Sequence, residues 1–246
     1  MKKRFHLSWL CLLLAFINVF AQEKKENVEQ LEEVVVTATK FAIKKELIGK
    51  VIYQIKPEEI ANLKGKTVVD VLDNIAGIQI NGANNSAGKN KSTYIRGGRD
   101  RHILVLIYWI PVSDPSGINT TFDLRLLTLS QVESIEVMNG AASTLYGSGA
   151  ATGVINIKLK KANSDKISFN YQTSIGTNNS QEDSKLNFND FNQNVSINGT
   201  LNKFNYLANF NTSKTDGLSE ASDENSSEKF ESDQFKTTNA FLRLGY

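Results

Sequence analysis

Catalysis needs side chains that carry protons, electrons or metal ions, and this chain is short of them. Of its 246 residues one is cysteine and two are histidine. Cys11 and His6 lie near the start, so only His102 remains in the body of the chain, beside the apolar run ILVLI. Histidine metal sites and Ser-His acyl transfer lack their usual raw material. The glycine-rich LYGSGAATG, residues 145–153, is superficially a phosphate loop. Its spacing is not GxGxxG, however, and a strand rather than a helix follows it. No catalytic residue, metal site or cofactor is assigned, and the chain is read as not an enzyme. The stretch with something to offer is EEVVVTATK, Glu32–Lys40. Its β-branched residues favour extended backbone, and an exposed extended segment invites pairing with another strand. Either it is tucked into the domain that follows, or pairing with another chain is its purpose.

The first residues bear on the compartment. Lys2, Lys3 and Arg4 precede an apolar run from Leu7 to Phe20, which is short for a bilayer-spanning helix. Val19-Phe20-Ala21 supplies small residues where a signal peptidase reads. Residues 1–21 are therefore read as a cleaved secretory signal peptide. Trp9 and Leu10 are too large for a lipoprotein cleavage site. Removal of the signal leaves no cysteine, hence no disulfide or thiolate chemistry. The formal net charge of +2 argues against a nucleic-acid partner.

The remainder divides into two kinds of pattern. Residues 22–50 form an N-terminal segment. Residues 51–161 alternate short strands with turns and a helix, which predicts an α+β domain. VIYQI, IQI, STYI, VESIEVM and GVINIKLK read as strands, and HILVLIYWIPV as strands buried on both faces. TVVDVLDNIAG, Thr67–Gly77, reads as an amphipathic helix capped by Thr67 and Asp70, with Gly77 suited to its C-terminal end.

Residues 162–246 follow strict period-two alternation. Ile167, Phe169, Tyr171 and Ile175 share one face, and Ser168, Asn170, Gln172 and Ser174 the other. The same holds around Val195–Leu201, Phe204–Phe210 (with Leu207 the exception) and Ala240–Tyr246. Segments of roughly 9–11 residues suit tilted membrane-crossing strands. A β-sandwich with one wet face gives the same alternation. The connections favour the membrane barrel: they run long, short, long, with only Asn202-Lys203 joining strands two and three. Arg243 is then expected to face the lumen.

In order along the chain, EEVVVTATK, VVDVLDNIAGIQI, TYIRGG, LVLIYWIPVSDPSG and VESIEVMNGAASTLYGSGAATGVINIKLKK resemble a TonB-dependent outer-membrane receptor. The resemblance implies an α+β plug domain followed by antiparallel transmembrane β-strands of an incomplete outer-membrane β-barrel. It implies a receptor for active uptake of a scarce ligand, an iron-siderophore or cobalamin-like compound. Its partners are TonB of the inner-membrane energy-transducing complex, outer-membrane lipid and a small-molecule ligand such as a metal chelate. Glu33, Val34, Val35, Val36, Thr37 and Ala38 then resemble the TonB box, whose extended backbone adds to a sheet edge of TonB. Arg96 resembles the arginine that reaches from plug to barrel, with Asn139 standing at the place of a second. The ligand is expected to face Asn90, Ser92 and Arg99 in one loop and Ser116, Gly117 and Asn119 in another.

Three departures from the family pattern carry consequences. Tyr108-Trp109 replaces the usual Asp-Gly, whose residues supply the positive φ angles of a type I′ turn, so a reshaped turn is expected. Asn139-Gly140-Ala141 replaces Arg-Gly-Pro, so Asn139 forfeits a charge pair and a looser plug is expected. Four strands do not close a barrel, which points to a fragment of a longer product. The alternative is a plug-like periplasmic TonB-binding protein with a disordered tail after Lys161, or a non-functional remnant of a truncated receptor gene.

Overall fold

The computed structural model describes residues 34–35, 37–63, 65–82, 87–117, 119–177, 188–216 and 234–246. The expected signal peptide, Glu33 and Val36 lie outside these residues. The chain begins with a pair of two-residue strands, β1 (Val34–Val35) and β2 (Ile43–Lys44), which run antiparallel. Then come β3 (Val51–Ile55), α1 (Pro57–Asn62), α2 (Val68–Asp73), β4 (Ile78–Asn81) and β5 (Ser92–Ile95). The run ILVLIYWIPV becomes a hairpin of β6 (Ile103–Ile107) and β7 (Ile110–Val112). After it lie β8 (Val132–Asn139), α3 (Ser143–Tyr146) and β9 (Gly153–Leu159).

Five of these strands make one mixed sheet in the order β3-β8-β9-β6-β7, with β6 and β9 parallel and the other pairs antiparallel. Strand β7 is an edge, and its Ile110 and Pro111 are exposed rather than buried on both faces as the apolar run suggested. An edge is where a residue without an N–H is tolerated. Helices α1 and α2 cover one face of the sheet and bury Ile60, Val69 and Leu72 against Ile135, Val137, Ile155 and Ile157. On the other face, Ile52, Leu106, Met138 and Val154 pack with Val35 and Ala38 of the N-terminal segment and with Ala142 and Ala150. A two-sided sheet in so small a unit needs both covers to exclude water.

Helix α2 begins as its sequence implies. The Thr67 N–H donates to Asp70 Oδ2 at 2.8 Å, and the Asp70 N–H donates to Thr67 Oγ1 at 3.2 Å. The helix stops at Asp73, four residues short of Gly77, because the chain tightens through a turn in which the Ile75 N–H reaches Leu72 O. Gly77 has φ +83° and turns the chain into β4.

Residues after Lys161 are strands too: β10 (Ser168–Gly176), β11 (Asp190–Leu201), β12 (Phe204–Thr215) and β13 (Phe235–Gly245). They form an antiparallel sheet in sequence order, with the β11–β12 turn at Asn202-Lys203. Phe169, Ile175, Phe210, Leu242 and Leu244 stand exposed on its outer face. Asn194, Asn209 and Asn211 are buried on the inner face. Leu207, the break in the sequence pattern, is also buried there, and Phe241 packs on the α1–α2 side of the plug core. A disordered tail, expected of a free plug-like protein, is not what the described residues of this region form.

The reciprocal cap on α2 gives a stability prediction. Thr67→Ala is expected to cost about 1 kcal/mol. The check is a lower midpoint of chemical denaturation at unchanged m-value.

Candidate functional site

Two regions of the plug hold the residues singled out from sequence: the docked N-terminal segment and the loops at its ends. Strands β8 and β9 are neighbours in register, with Glu136 opposite Asn156. Period-two geometry puts Glu136, Asn156 and Lys158 on the face that Val35 and Ala38 cover. Glu136 is 1 % exposed and Asn156 is fully buried. A carboxyl group there requires donors, because an unpartnered buried charge costs several kcal/mol.

Thr37 supplies two of them. Its N–H donates to Glu136 Oε2 at 3.0 Å, and its hydroxyl donates to the same oxygen at 2.6 Å. Lys158 Nζ lies 3.2 Å from Glu136 Oε1. Asn156 Nδ2 donates to Thr37 Oγ1 at 3.4 Å, and the Tyr146 hydroxyl donates to Thr37 O at 2.8 Å. Burial, then the charge of Glu136, pushes the Tyr146 hydroxyl above its ordinary range. Lys40 sits 5.0 Å over the Tyr146 ring. Of the two possibilities for this segment, the structure shows it tucked in. Val34 and Val35 pair with β2, and Thr37 and Ala38 lie against the sheet.

The Tyr108-Trp109 turn is not reshaped. Tyr108 has φ +51° and Trp109 φ +69°, and Ile107 faces Ile110 across a two-residue connection. Left-handed backbone costs a residue with a Cβ roughly 1–2 kcal/mol, so the neighbours must hold it. The Tyr108 N–H donates to Ile157 O at 3.1 Å. The Tyr108 hydroxyl donates to Leu159 O and accepts from Arg243 Nη1 on β13. The Arg243 guanidinium stacks 4.8 Å from the centre of the Tyr108 ring. Arg243 therefore faces inward, onto the plug. Lys158 Nζ lies 5.6 Å over the Trp109 ring, and the Trp109 N–H reaches Asn156 Oδ1 at 3.4 Å.

Arg96 and Asn139 come together around Gly77. A Cβ placed on Gly77 would lie 3.4 Å from Asn139 Nδ2 and 3.9 Å from Arg96 Cγ. Arg96 has φ +49° and donates its N–H to Gly77 O at 2.9 Å. Its side chain is exposed, whereas Asn139 is buried with Oδ1 unpartnered. Among the described residues, no hydrogen bond or ion pair joins either side chain to β10–β13.

The six candidate ligand-facing residues divide. Asn119 Nδ2 donates to Asp100 Oδ1 at 3.4 Å, which brings its loop beside the 99–102 turn. Together with Lys91, Thr93, Arg101 and Phe122 these line a cleft of about 140 Å³. Ser116 is engaged within its own loop, donating from N–H and hydroxyl to Asp114 Oδ1 at 2.9 and 2.6 Å. These bonds hold the Asp114 carboxyl below its usual range. Asn90, Arg99 and Gly117 are exposed, and Ser92 lies in β5 opposite Asn81. Thr93, not Ser92, lines the cleft.

A larger cavity, about 500 Å³, separates the plug from the inner face of β10–β13. Lys66, Lys91, Arg125 and Lys160 face Gln172, Asn192, Asn194, Asn211 and Thr237 across it. Burial lowers the pKa of Lys160, and it lowers that of Lys91 against the opposing charge of Asp70. Arg125 forks onto Asp123 at 2.7–3.0 Å and reaches Gly88 O, tying down the loop before β5. Burial alone would raise Asp123, but the hydrogen bonds and charge of Arg125 outweigh it and hold the carboxyl low. Asn194 Nδ2 donates to Ser130 Oγ at 3.0 Å, a direct plug-to-strand bond.

Sequence reasoning missed Glu136, Asn156 and Lys158. Their alternation in VESIEVM and GVINIKLK was visible, but a polar strand face ordinarily meets water. Nothing local says that a segment 99 residues away covers it.

Known proteins align with this architecture. Residues 44–154 match the TonB-dependent receptor plug domain family. The vitamin B12 transporter BtuB of Vibrio vulnificus is 31 % identical over 152 residues, covering 62 % of this chain and 24 % of that protein. Among solved structures, the ferric enterobactin receptor PfeA of Pseudomonas aeruginosa, in complex with enterobactin, superposes with a TM-score of 0.53 at 27 % identity. That match covers 67 % of this chain and 25 % of the receptor. The ferripyoverdine receptor of the outer membrane of the same organism shares the fold at a TM-score of 0.56 and 17 % identity, over 74 % of this chain and 22 % of its own. The chain thus spans about a quarter of the length of the relatives it matches.

Thr37→Val keeps the shape of the docked segment and removes its hydroxyl. A hydrogen bond to a charged group is worth about 1.5–3 kcal/mol, so hydrogen exchange at the Val35 and Ala38 amides is expected to accelerate at least tenfold. Exchange in β8 and β9 is expected to stay slow. Unchanged exchange at Val35 and Ala38 would show that the hydroxyl does not hold the segment.

Proposed function

We propose that this chain, which carries the plug domain of a TonB-dependent outer-membrane receptor, is the N-terminal part of a transporter that takes up a scarce ligand. One observation carries the reading. The plug seats on the amide-lined inner face of an antiparallel sheet whose outer face is apolar. Such a sheet satisfies its backbone groups strand to strand while offering side chains to hydrocarbon on one side only. A soluble binding module has no use for the row of exposed Phe, Ile and Leu on β10–β13.

In this reading Glu33–Ala38 is the segment that meets TonB. Val34 and Val35 already lie extended, and release from β2 frees their backbone groups to add to a sheet edge. The ligand approaches the loops around Asn90, Ser92 and Arg99 and around Ser116, Gly117 and Asn119. Arg96 and Asn139 contact barrel strands beyond the four seen here. Relatives named for vitamin B12 and for enterobactin make a corrin and a ferric catecholate the first ligands to try. The residues of the plug bind and yield; none performs bond chemistry.

The test uses the complete receptor in cells, with Cys11→Ser and Val34→Cys. Disulfide cross-linking to a cysteine on the periplasmic domain of TonB is expected, stronger when cyanocobalamin or ferric enterobactin is supplied. In parallel, Val35→Pro, which removes a backbone donor, is expected to abolish uptake while surface binding stays within about twofold. No cross-link, together with uptake unaffected by Val35→Pro, would sink the assignment.

A further inference from the structure

The Tyr108-Trp109 turn holds a position that connects two otherwise distant contacts. On one side, Tyr108 meets Arg243 of β13 through its hydroxyl and its ring. On the other, Trp109 meets two residues of β9: Lys158 over its ring and Asn156 through its N–H. Those same two residues hold the N-terminal segment, Lys158 through Glu136 and Asn156 through Thr37 Oγ1. A continuous path of contacts, through side chains and the backbone of the turn, therefore runs from the strand wall to Thr37. It passes through a turn in which two successive bulky residues, Tyr108 and Trp109, are held in left-handed backbone against their preference.

We propose that this turn is a coupling element: seating of the plug against Arg243 and docking of the segment at Thr37 stabilise each other through Tyr108-Trp109, Lys158, Asn156 and Glu136. The physical reason is that the turn's strained geometry is maintained only by its partners. If the plug shifts off Arg243, Tyr108 loses its hydrogen-bonded cation and the turn relaxes. Trp109 then no longer positions Lys158 and Asn156, and Glu136 and Thr37 each lose a neighbour. Linkage makes the effect reciprocal. Drawing Thr37 away leaves Glu136 to compete for Lys158 and so loosens the turn's hold on β13. A pull on the N-terminal segment is thereby directed to one stretch of wall, the end of β13, rather than spread over the plug. Tyr-Trp in place of Asp-Gly is what creates the path, since Asp-Gly offers neither ring.

The readout needs neither ligand nor TonB, so it stands or falls separately from the transport reading. In the full protein in outer membranes, with Cys11→Ser, the buried Ala38→Cys reports release of the segment by its rate of maleimide labelling. Glu136→Gln and Arg243→Gln are each expected to raise that rate about fivefold or more, and the double variant no more than about twofold above the larger single effect. Trp109→Gly, which suits the positive φ and preserves the turn, is expected to match Arg243→Gln. It also serves if the arginine variant fails to assemble. The proposal is overturned if Arg243→Gln and Trp109→Gly leave labelling unchanged while Glu136→Gln raises it, or if the effects multiply as independent ones do.

Discussion

A carboxyl group buried in the middle of a sheet face dictates much of this plug. Glu136 is tolerated only with donors around it, and β9 offers Lys158. Thr37 brings two more donors, which fixes where the N-terminal segment lies and hence which residues complete the second core. The result is a cover that is specific but light. Two residue pairs join β1 to β2, and the rest of the grip is the burial of Val35 and Ala38 and a handful of hydrogen bonds around one threonine. Such a segment belongs at the low end of local stability. A core strand with the same sequence would be tied in by a full backbone ladder.

The sequence made the strands legible and their ends less so. Alternation located β10 to β13 because one face carries Phe, Ile and Leu while the other carries amides. It fell silent where both faces are polar: Lys236, Thr237 and Thr238 show no contrast, yet β13 pairs with β12 through them. Likewise β11 starts at Asp190, ahead of the first clear alternation at Asn194. Backbone pairing continues wherever the neighbour does, whatever the side chains. The docking of Thr37 was illegible for a different reason. EEVVVTATK advertises an extended backbone but not its partner, and the partner's polar face reads as solvated until something is known to cover it.

The departures at Tyr108-Trp109 and Asn139 show tertiary contacts overruling and failing to overrule local chemistry. Turn propensity describes an isolated hairpin, where bulky residues at positive φ are penalised. Here Leu159 O, Ile157 O, Asn156, Lys158 and Arg243 all bind the turn, and the hairpin keeps its two-residue connection. Asn139 has no such support. Its Oδ1 is buried without a partner beside Gly77, a standing cost of about 1–3 kcal/mol for a neutral acceptor. The chain thus holds its plug to the strands by an aromatic–arginine contact at one place and leaves an acceptor open at another.

The rule that fixes Thr37 also applies to the sheet outside it. In β10–β13 each inner strand satisfies its neighbours, and some inward amides pair with one another, as where Asn209 Nδ2 donates to Asn194 Oδ1 at 3.2 Å. The outward edges of β10 and β13 have no such partner in the four-stranded sheet. In water an open edge is hydrated; in hydrocarbon each unpaired N–H or C=O costs several kcal/mol. The exposed row from Phe169 to Leu244 places these strands against hydrocarbon, so both edges call for further strands in the membrane. Arg243 then sits on one of these edge strands, on the inner face of β13 opposite Leu207. The contact that seats the plug and the edge that must be extended lie on the same strand.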